Sequence, residues 1–345
     1  MYPNIGFTQK QNYGLMGTVD VGYLMPHRST MAHLVRQHAY GVGVQGVIQT
    51  NGEKQWHHDF NLPSIHAGIS YFNLGNTEVL GNAINLTTGL YLPYLKKNGF
   101  SFGSQLSAGM SYFSKKYDLE DNPKNNAIGS HINICVDLGF KIEKQFQKHS
   151  LGFAIGMKHM SNGAYKLPNL GVNLPYLSLN YTYFLHPLRF LEEPIIGRVG
   201  QQAKSWRFYT QLVGSVKEIY PTGGNRHGVL ALTNYTHYKF TPKCIVEGGV
   251  DVIYNATIVK YNGGNHGKEK NIQLGLYGAY VLPIHQIQLL VGMGRYVYNP
   301  LDPAGMWYHK FGGRFKITEK IWANVSIKSH WAKADYFEYG LIYRW

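Results

Sequence analysis

Ile132-Asn133-Ile134-Cys135-Val136-Asp137-Leu138-Gly139-Phe140-Lys141-Ile142-Glu143 puts its large apolar side chains on the even positions. Small, polar and charged residues take the odd ones. Alternate side chains of a β-strand point to opposite faces, so this run predicts a strand with one apolar and one polar face. It is also long. Soluble strands average about five to six residues, whereas a strand that crosses a bilayer at a tilt needs about nine to eleven. The same alternation recurs from Phe100, with Phe102, Leu106, Ala108, Met110 and Tyr112 against Ser101, Gly103, Gln105, Ser107, Gly109 and Ser111. Trp206, Phe208, Leu212 and Val216 alternate with Arg207, Tyr209, Gln211, Ser215 and Lys217, and similar patterns follow Cys244, Ile272, Phe311 and Ile321.

About sixteen such strands are expected, beginning near Tyr13, Ala39, Ser64, Ala83, Phe100, His131, Ser150, Leu177, Ser205, His227, Cys244, Ile272, Ile287, Met306, Ile321 and Asp335. Very short turns follow the sixth (145–149), tenth (241–243), twelfth (283–286) and fourteenth (318–320). All four follow even-numbered strands, the parity of an up-and-down barrel with both termini on the periplasmic side. The region 114–130 is long and polar and falls on the outer side. The expectation is therefore an all-β, antiparallel, up-and-down transmembrane β-barrel. One closure of about sixteen strands is preferred, with fourteen strands or two eight-stranded halves as alternatives. The connection 186–204 is too long for a periplasmic turn and divides the chain into 1–190 and 191–345. The end of the chain, Tyr339, Leu341, Tyr343 and Trp345 on one face, resembles the C-terminal strand of outer-membrane barrels.

Composition narrows the alternatives. Tyr 27 and Gly 40 are high, and charged residues make up 15%, against roughly 25% in soluble domains. No apolar run approaches the ~18 residues of a membrane helix, and mean hydropathy is −0.25. The 33 Lys+Arg against 19 Asp+Glu give a formal +14, which favours an anionic partner. With no run of five basic residues and no nucleic-acid motif, nucleic acid is not expected. Cys135 and Cys244 sit in strand patterns without metal-ligand spacing, as unpaired wall residues, with a disulfide as the alternative. The start, Met1-Tyr2-Pro3-Asn4, has no basic and no apolar leader region, so an exported form would be a processed chain.

The segment most informative about chemistry is Met157-Lys158-His159-Met160-Ser161-Asn162-Gly163-Ala164, then Lys166-Leu167-Pro168-Asn169-Leu170-Gly171-Val172-Asn173. Counting by twos from Leu151, Phe153, Ile155 and Met157 puts His159 and Ser161 on the same, outward face. Residues i and i+2 of a strand lie about 7 Å apart at Cα, so the imidazole reaches the hydroxyl. A base beside a hydroxyl is the arrangement that nucleophilic catalysis needs. The next strand carries Asn173 on the face of Leu177, Leu179 and Tyr181, where a return strand would set it beside His159. Read structurally, a His and a Ser at a strand end are interfacial residues, and Asn162-Gly163 is an ordinary turn signal.

His159-Met160-Ser161-Asn162-Gly163 followed by Pro168-Asn169-Leu170-Gly171-Val172-Asn173 resembles the active-site region of the PagL-type lipid A 3-O-deacylases. These outer-membrane barrels remove an ester-linked acyl chain from lipid A. The resemblance covers the first 190 residues and implies His159 as base and Ser161 as nucleophile. Asn169, with Asn162 or a backbone N–H near Gly163, is implied as oxyanion stabiliser. No metal and no cofactor are implied. Two features depart from the family. Its orienting residue is usually Glu, and the matching position here is Asn173. Its members are also single eight-stranded barrels, while this chain continues for some 150 residues more. That continuation is similar to the long acyloxyacyl-hydrolase-like proteins of Bacteroidetes, notably in Lys328-Ser329-His330-Trp331-Ala332-Lys333-Ala334-Asp335, where His330 and Asp335 are read as structural.

The resulting expectation is an outer-membrane serine esterase that removes the 3-O acyl chain of lipid A in lipopolysaccharide. Lipid A and outer-membrane lipids would be its partners. The rival is a non-enzymatic barrel, a porin or a component of a surface assembly. Lys115, Lys116, Lys124, Lys158 and Lys166 are candidates for contact with lipid A phosphates. His57-His58-Asp59 reads as a solvated loop, since adjacent strand residues face opposite ways.

Overall fold

The computed structural model describes residues 11–187, 205–301, 305–331 and 333–345. Sixteen strands run through them. The first eight are β1 (Asn12–Gly22), β2 (Ala39–Gln49), β3 (Ser64–Asn73), β4 (Asn82–Lys97), β5 (Phe100–Phe113), β6 (Ile132–Phe146), β7 (His149–Ser161) and β8 (Val172–Phe184). The rest are β9 (Trp206–Glu218), β10 (Arg226–Thr241), β11 (Cys244–Asn255), β12 (Ile272–Ile284), β13 (Ile287–Tyr298), β14 (Trp307–Lys316), β15 (Ile321–His330) and β16 (Lys333–Arg344). Every pairing is antiparallel between neighbours in the chain, apart from the two closures.

Those closures correct the preferred single barrel. β1 pairs with β8, Gly14 opposite Phe184 and Gly22 opposite Tyr176. β16 pairs with β9, Tyr339 opposite Gly214 and Arg344 opposite Tyr209. The chain therefore forms two closed eight-stranded barrels, the two-halves alternative, with the count of sixteen strands unchanged. Each closure removes both free edges of its own sheet. Alternation specifies which face of a strand is apolar, but it does not specify which edge closes on which. The connection at 186–204 lies, from 188 onward, outside the described residues.

In the first barrel the alternation sorts wall from lumen. Leu138, Phe140, Leu151, Phe153, Ile155 and Leu179 are exposed on the outside. Asp137, Lys141, Glu143, Lys158, Ser178 and Asn180 are buried inside. The buried charges are paired: Lys141 Nζ lies 2.9 Å from Glu143, Lys158 bonds Asp137, and the Tyr176 hydroxyl donates to Asp137 at 2.8 Å. A polar lumen and an apolar wall invert the arrangement of a soluble protein and suit a lipid surround. Leu179, near the middle of β8 and 65% exposed, tests this. Leu179→Arg should destabilise the barrel by about 2–4 kcal/mol in bilayers, read as a shifted urea midpoint for bilayer-embedded protein.

The second barrel repeats the design. Asp251, fully buried, accepts from Thr233 Oγ1 at 2.5 Å, Tyr308 at 2.5 Å and Lys310 at 2.7 Å. Glu247 accepts from Arg314 at 2.5 Å and from Tyr277 at 3.2 Å. His330 and Asp335 meet at 3.6 Å within a buried network in which Lys217 holds Asp335. Removing one member of a buried pair strands the other. Asp251→Ala should therefore destabilise the second barrel by about 3–5 kcal/mol, measured by chemical unfolding of refolded protein.

Connections at the two ends of the first barrel differ as expected. At one end Asn98-Gly99 turns β4 into β5 with both residues at positive φ, 50° and 72°, the two-residue hairpin geometry that Asn-Gly favours. The longer connection after β2 carries a short helix, Gln55–Asp59. His57 is buried there and its Nδ1 accepts from Gly52 N–H at 3.2 Å, so this segment is structured where a solvated loop was expected. At the other end, three long connections build an apolar cap. Leu24, Met31 and Leu34 from 23–38, Leu74, Val79 and Leu80 from 74–81, and Ala127 and Ile128 from 114–131 pack on Phe72, Phe113, Met160 and Val172. Each such buried large side chain contributes roughly 1.5–3 kcal/mol, enough to hold long loops in one conformation. The ends of β7 and β8 sit beneath this cap.

Candidate active site

β8 begins at Val172, five residues before the start read from the sequence at Leu177. Pro175 explains the difference. Proline lacks the ladder N–H and normally argues against a strand interior. Pro175 accepts from Tyr23 N–H at 3.2 Å. The N and C=O of one antiparallel residue face the same neighbour, so its missing donor points toward β1 just where the paired β1 segment ends at Gly22. The early start brings Asn173 directly opposite His159 in the β7–β8 register.

Three side chains then form a chain of hydrogen bonds. Ser161 Oγ lies 3.0 Å from His159 Nε2. His159 Nδ1 lies 2.6 Å from Asn173 Oδ1. These are the distances at which a base takes a hydroxyl proton while its other nitrogen is oriented. Both residues keep the outward parity of Leu151, Phe153, Ile155 and Met157, but they are not bare wall. His159 is half-buried and Ser161 is buried. Gly171 lies against both: a Cβ there would sit 3.1 Å from His159 Cε1 and 3.3 Å from Ser161 Cβ. Its φ of 80° is also one that side-chain-bearing residues avoid. Its N–H donates to Ala127 O at 2.9 Å, fixing the strand to the 114–131 loop.

The oxyanion candidates separate. Asn162 N–H donates to Asn169 Oδ1 at 3.0 Å, and Asn162 Nδ2 donates to Ser130 Oγ at 2.8 Å. Those bonds tie Asn162 to its neighbours. They also settle the orientation of the Asn169 amide, since only its oxygen accepts an N–H. Asn169 Nδ2 is left buried without a hydrogen-bond partner among the described residues. Gly163 turns the chain immediately after Asn162, at φ 61°.

Two residues read otherwise from the sequence. Lys158 faces the lumen and pairs with Asp137, so it does not meet a ligand on the outer wall. His27, in the first long connection, carries no sequence signal, yet its Nδ1 accepts from Asn173 Nδ2 at 3.0 Å. Burial lowers the His27 pKa from its ordinary value, and the charges of Arg28 and His159 lower it further.

An eight-stranded barrel with a Ser–His–Asn arrangement on its outward wall, beneath structured loops, has the form of a membrane ester hydrolase. Residues 38–182 match the family model of the lipid A 3-O-deacylase (PagL), and residues 206–345 match that of the acyloxyacyl hydrolase C-terminal domain. Together the matches span most of the chain, which belongs to the PagL-type proteins and is a carboxylic ester hydrolase of the lipid A deacylase kind. No curated protein matches the chain. Among solved structures, two mutants of Rh. blastica porin cover 97% of this chain and 100% of their own at 10% identity, with a TM-score of 0.19. A triple mutant of the Rhodopseudomonas blastica porin gives 9% and 0.18 over the same coverage. Likeness at that score carries no argument.

Proposed function

We propose that the chain is an outer-membrane serine esterase that removes the 3-O-linked acyl chain of lipid A, with the reaction carried by the barrel within residues 1–190. The observation that carries this reading is the hydrogen-bonded line Ser161–His159–Asn173, at 3.0 and 2.6 Å, on the wall that faces lipid. An acyl chain lying along the exposed Met157, Ile155 and Leu177 brings its ester to Ser161 without leaving the apolar phase. His159 Nε2 takes the Ser161 proton as Oγ attacks the ester carbonyl carbon. Charge gathers on the carbonyl oxygen, where Asn169 Nδ2 and the Gly163 N–H donate to it. The sugar C3–O to acyl bond then breaks, and the His159 proton passes to the departing sugar oxygen. Water, deprotonated by His159, cleaves the acyl-enzyme to free fatty acid. Lys115, Lys116 and Lys124, on the loop beside the site, supply positive charge for the lipid A phosphates.

A pore is less well supported. In the lumen of the first barrel a cavity of about 20 Å³ is lined by Asp20, Asp137, Lys158 and Tyr176, room for about one water molecule. The test is mass spectrometry of lipid A incubated with the refolded protein and with Ser161→Ala. Wild type should release one acyl chain, from the 3-O position. Intact lipid A in both reactions would remove the reading.

A further inference from the structure

Asn173 has a weakness as an orienting residue. Its two amide atoms are nearly the same size, yet only Oδ1 accepts and only Nδ2 donates. With Oδ1 toward His159, the imidazole proton sits on Nδ1, and Nε2 is free to take the Ser161 proton. With the amide turned over, Nδ2 faces His159 Nδ1, the proton moves to Nε2, and the base is lost. Something must choose between the two orientations.

We propose that His27 makes that choice, as a positioning residue that holds the Asn173 amide by accepting its Nδ2–H and thereby sets the tautomer of His159. This rests on the catalytic reading above. The geometry is continuous: His27 Nδ1 to Asn173 Nδ2 at 3.0 Å, Asn173 Oδ1 to His159 Nδ1 at 2.6 Å, and His159 Nε2 to Ser161 Oγ at 3.0 Å. His27 is itself held in place. Leu24 before it and Met31 and Leu34 after it are buried in the apolar cap. Met25 N–H donates to Asn173 O at 2.9 Å, and the His27 ring faces the backbone of Leu170 and Met25.

Only a neutral His27 can do this, because protonation turns Nδ1 into a donor facing the donor Nδ2. Burial opposes a charge on the ring most, followed by Arg28 on its own loop and His159 on β7, against hydrogen bonds to the backbone of Leu170 and Met25 that favour one. Asn173 and the backbone of Leu170 and Met25 are uncharged. Two imidazoles, His27 and His159, must therefore be neutral for turnover.

The experiment compares kcat, KM and the acid limb of kcat on lipid A for the full chain and four variants. His27→Leu should lower kcat about tenfold, the value of one neutral hydrogen bond, with KM unchanged. His27→Gln, whose Oε1 can accept from Asn173, should recover most of that loss, and its acid limb should become shallower, falling with one proton where wild type falls with two. An Asp carboxylate accepts on both sides and needs no orienting. The same His27→Leu change made in the Asn173→Asp protein should therefore cost much less than it does in wild type. Equal losses in the two backgrounds, or wild-type kcat in His27→Leu, would overturn the proposal. Failure of the catalytic reading shows separately, as deacylation that survives Ser161→Ala whatever stands at position 27.

Discussion

Ser161→Ala should abolish lipid A deacylation, lowering kcat by about 10⁴-fold or more, the scale on which triad nucleophiles act. The expected loss is this large because no neighbouring hydroxyl can substitute. Ser130 Oγ accepts from Asn162 Nδ2 and donates to Ile132 O at 2.9 Å, so it is committed to the loop. The substitution removes one oxygen from a buried position whose hydrogen bond is to His159. The barrel ladder and the apolar cap do not depend on that atom, so the variant should refold with the circular dichroism and heat-modifiable mobility of wild type. Lipid A should bind it with unchanged affinity, since the Met157, Ile155 and Leu177 wall is untouched. His159→Ala should lose activity on the same scale, because the alkoxide then has no base to form it. A Ser161→Ala protein that still releases the acyl chain at the wild-type rate would transfer the nucleophile's role to another group.

The parts of this site that were legible in the sequence share one property: they follow from the period of two. The outward set from Leu151 to Met157 continues through His159 to Ser161, so their adjacency needed no tertiary information. Lumen against wall was legible for the same reason in Asp137, Lys141 and Glu143. Lys158 obeys the same rule, and its reading as a phosphate ligand did not. It neighbours His159 in sequence, which suggested a phosphate ligand, but a neighbour in a strand faces the other way, and its partner is Asp137.

What was not legible depends on edges and loops. Alternation is blind to closure, so β8 meeting β1 could not be told from β16 meeting β1. The start of β8 was hidden by Pro175, whose missing donor falls just beyond Gly22, the last β1 residue paired with β8. His27 lies in Pro26-His27-Arg28, a loop tripeptide with no period and no spacing. Its position is decided by Leu24, Met31 and Leu34 packing into a cap shared with two other loops. That is information about tertiary structure, and no local pattern carries it.

Asn173→Leu should lose most of the activity, about 10²- to 10⁴-fold in kcat, and Asn173→Glu should keep or raise it. The upper figure is the cost of a wrong tautomer where Asn replaces a triad Asp in a serine protease. Leucine removes the acceptor at 2.6 Å from His159 Nδ1, so nothing opposes the tautomer that blocks Nε2, and the buried imidazole proton is left unpaired. An amide corrects the tautomer but brings no charge to the imidazolium that forms when His159 takes the proton. A carboxylate brings both. Glu at this position no longer donates to His27, so His27, 3.0 Å from the Asn173 side chain, must turn its Nδ1 into a donor to pair with the carboxylate. If Asn173→Leu turns over lipid A at the wild-type rate, the orienting role passes to another residue. The loop carboxylates are the remaining candidates by charge, but their geometry is unfavourable. Asp118 Oδ1 accepts from the N–H groups of Glu120 and Asp121 at 3.0 and 3.2 Å, closing a turn of its own, and Glu120 and Asp121 are exposed. Of these groups, Asn173 alone combines an acceptor within reach of His159 with a strand register that holds it there.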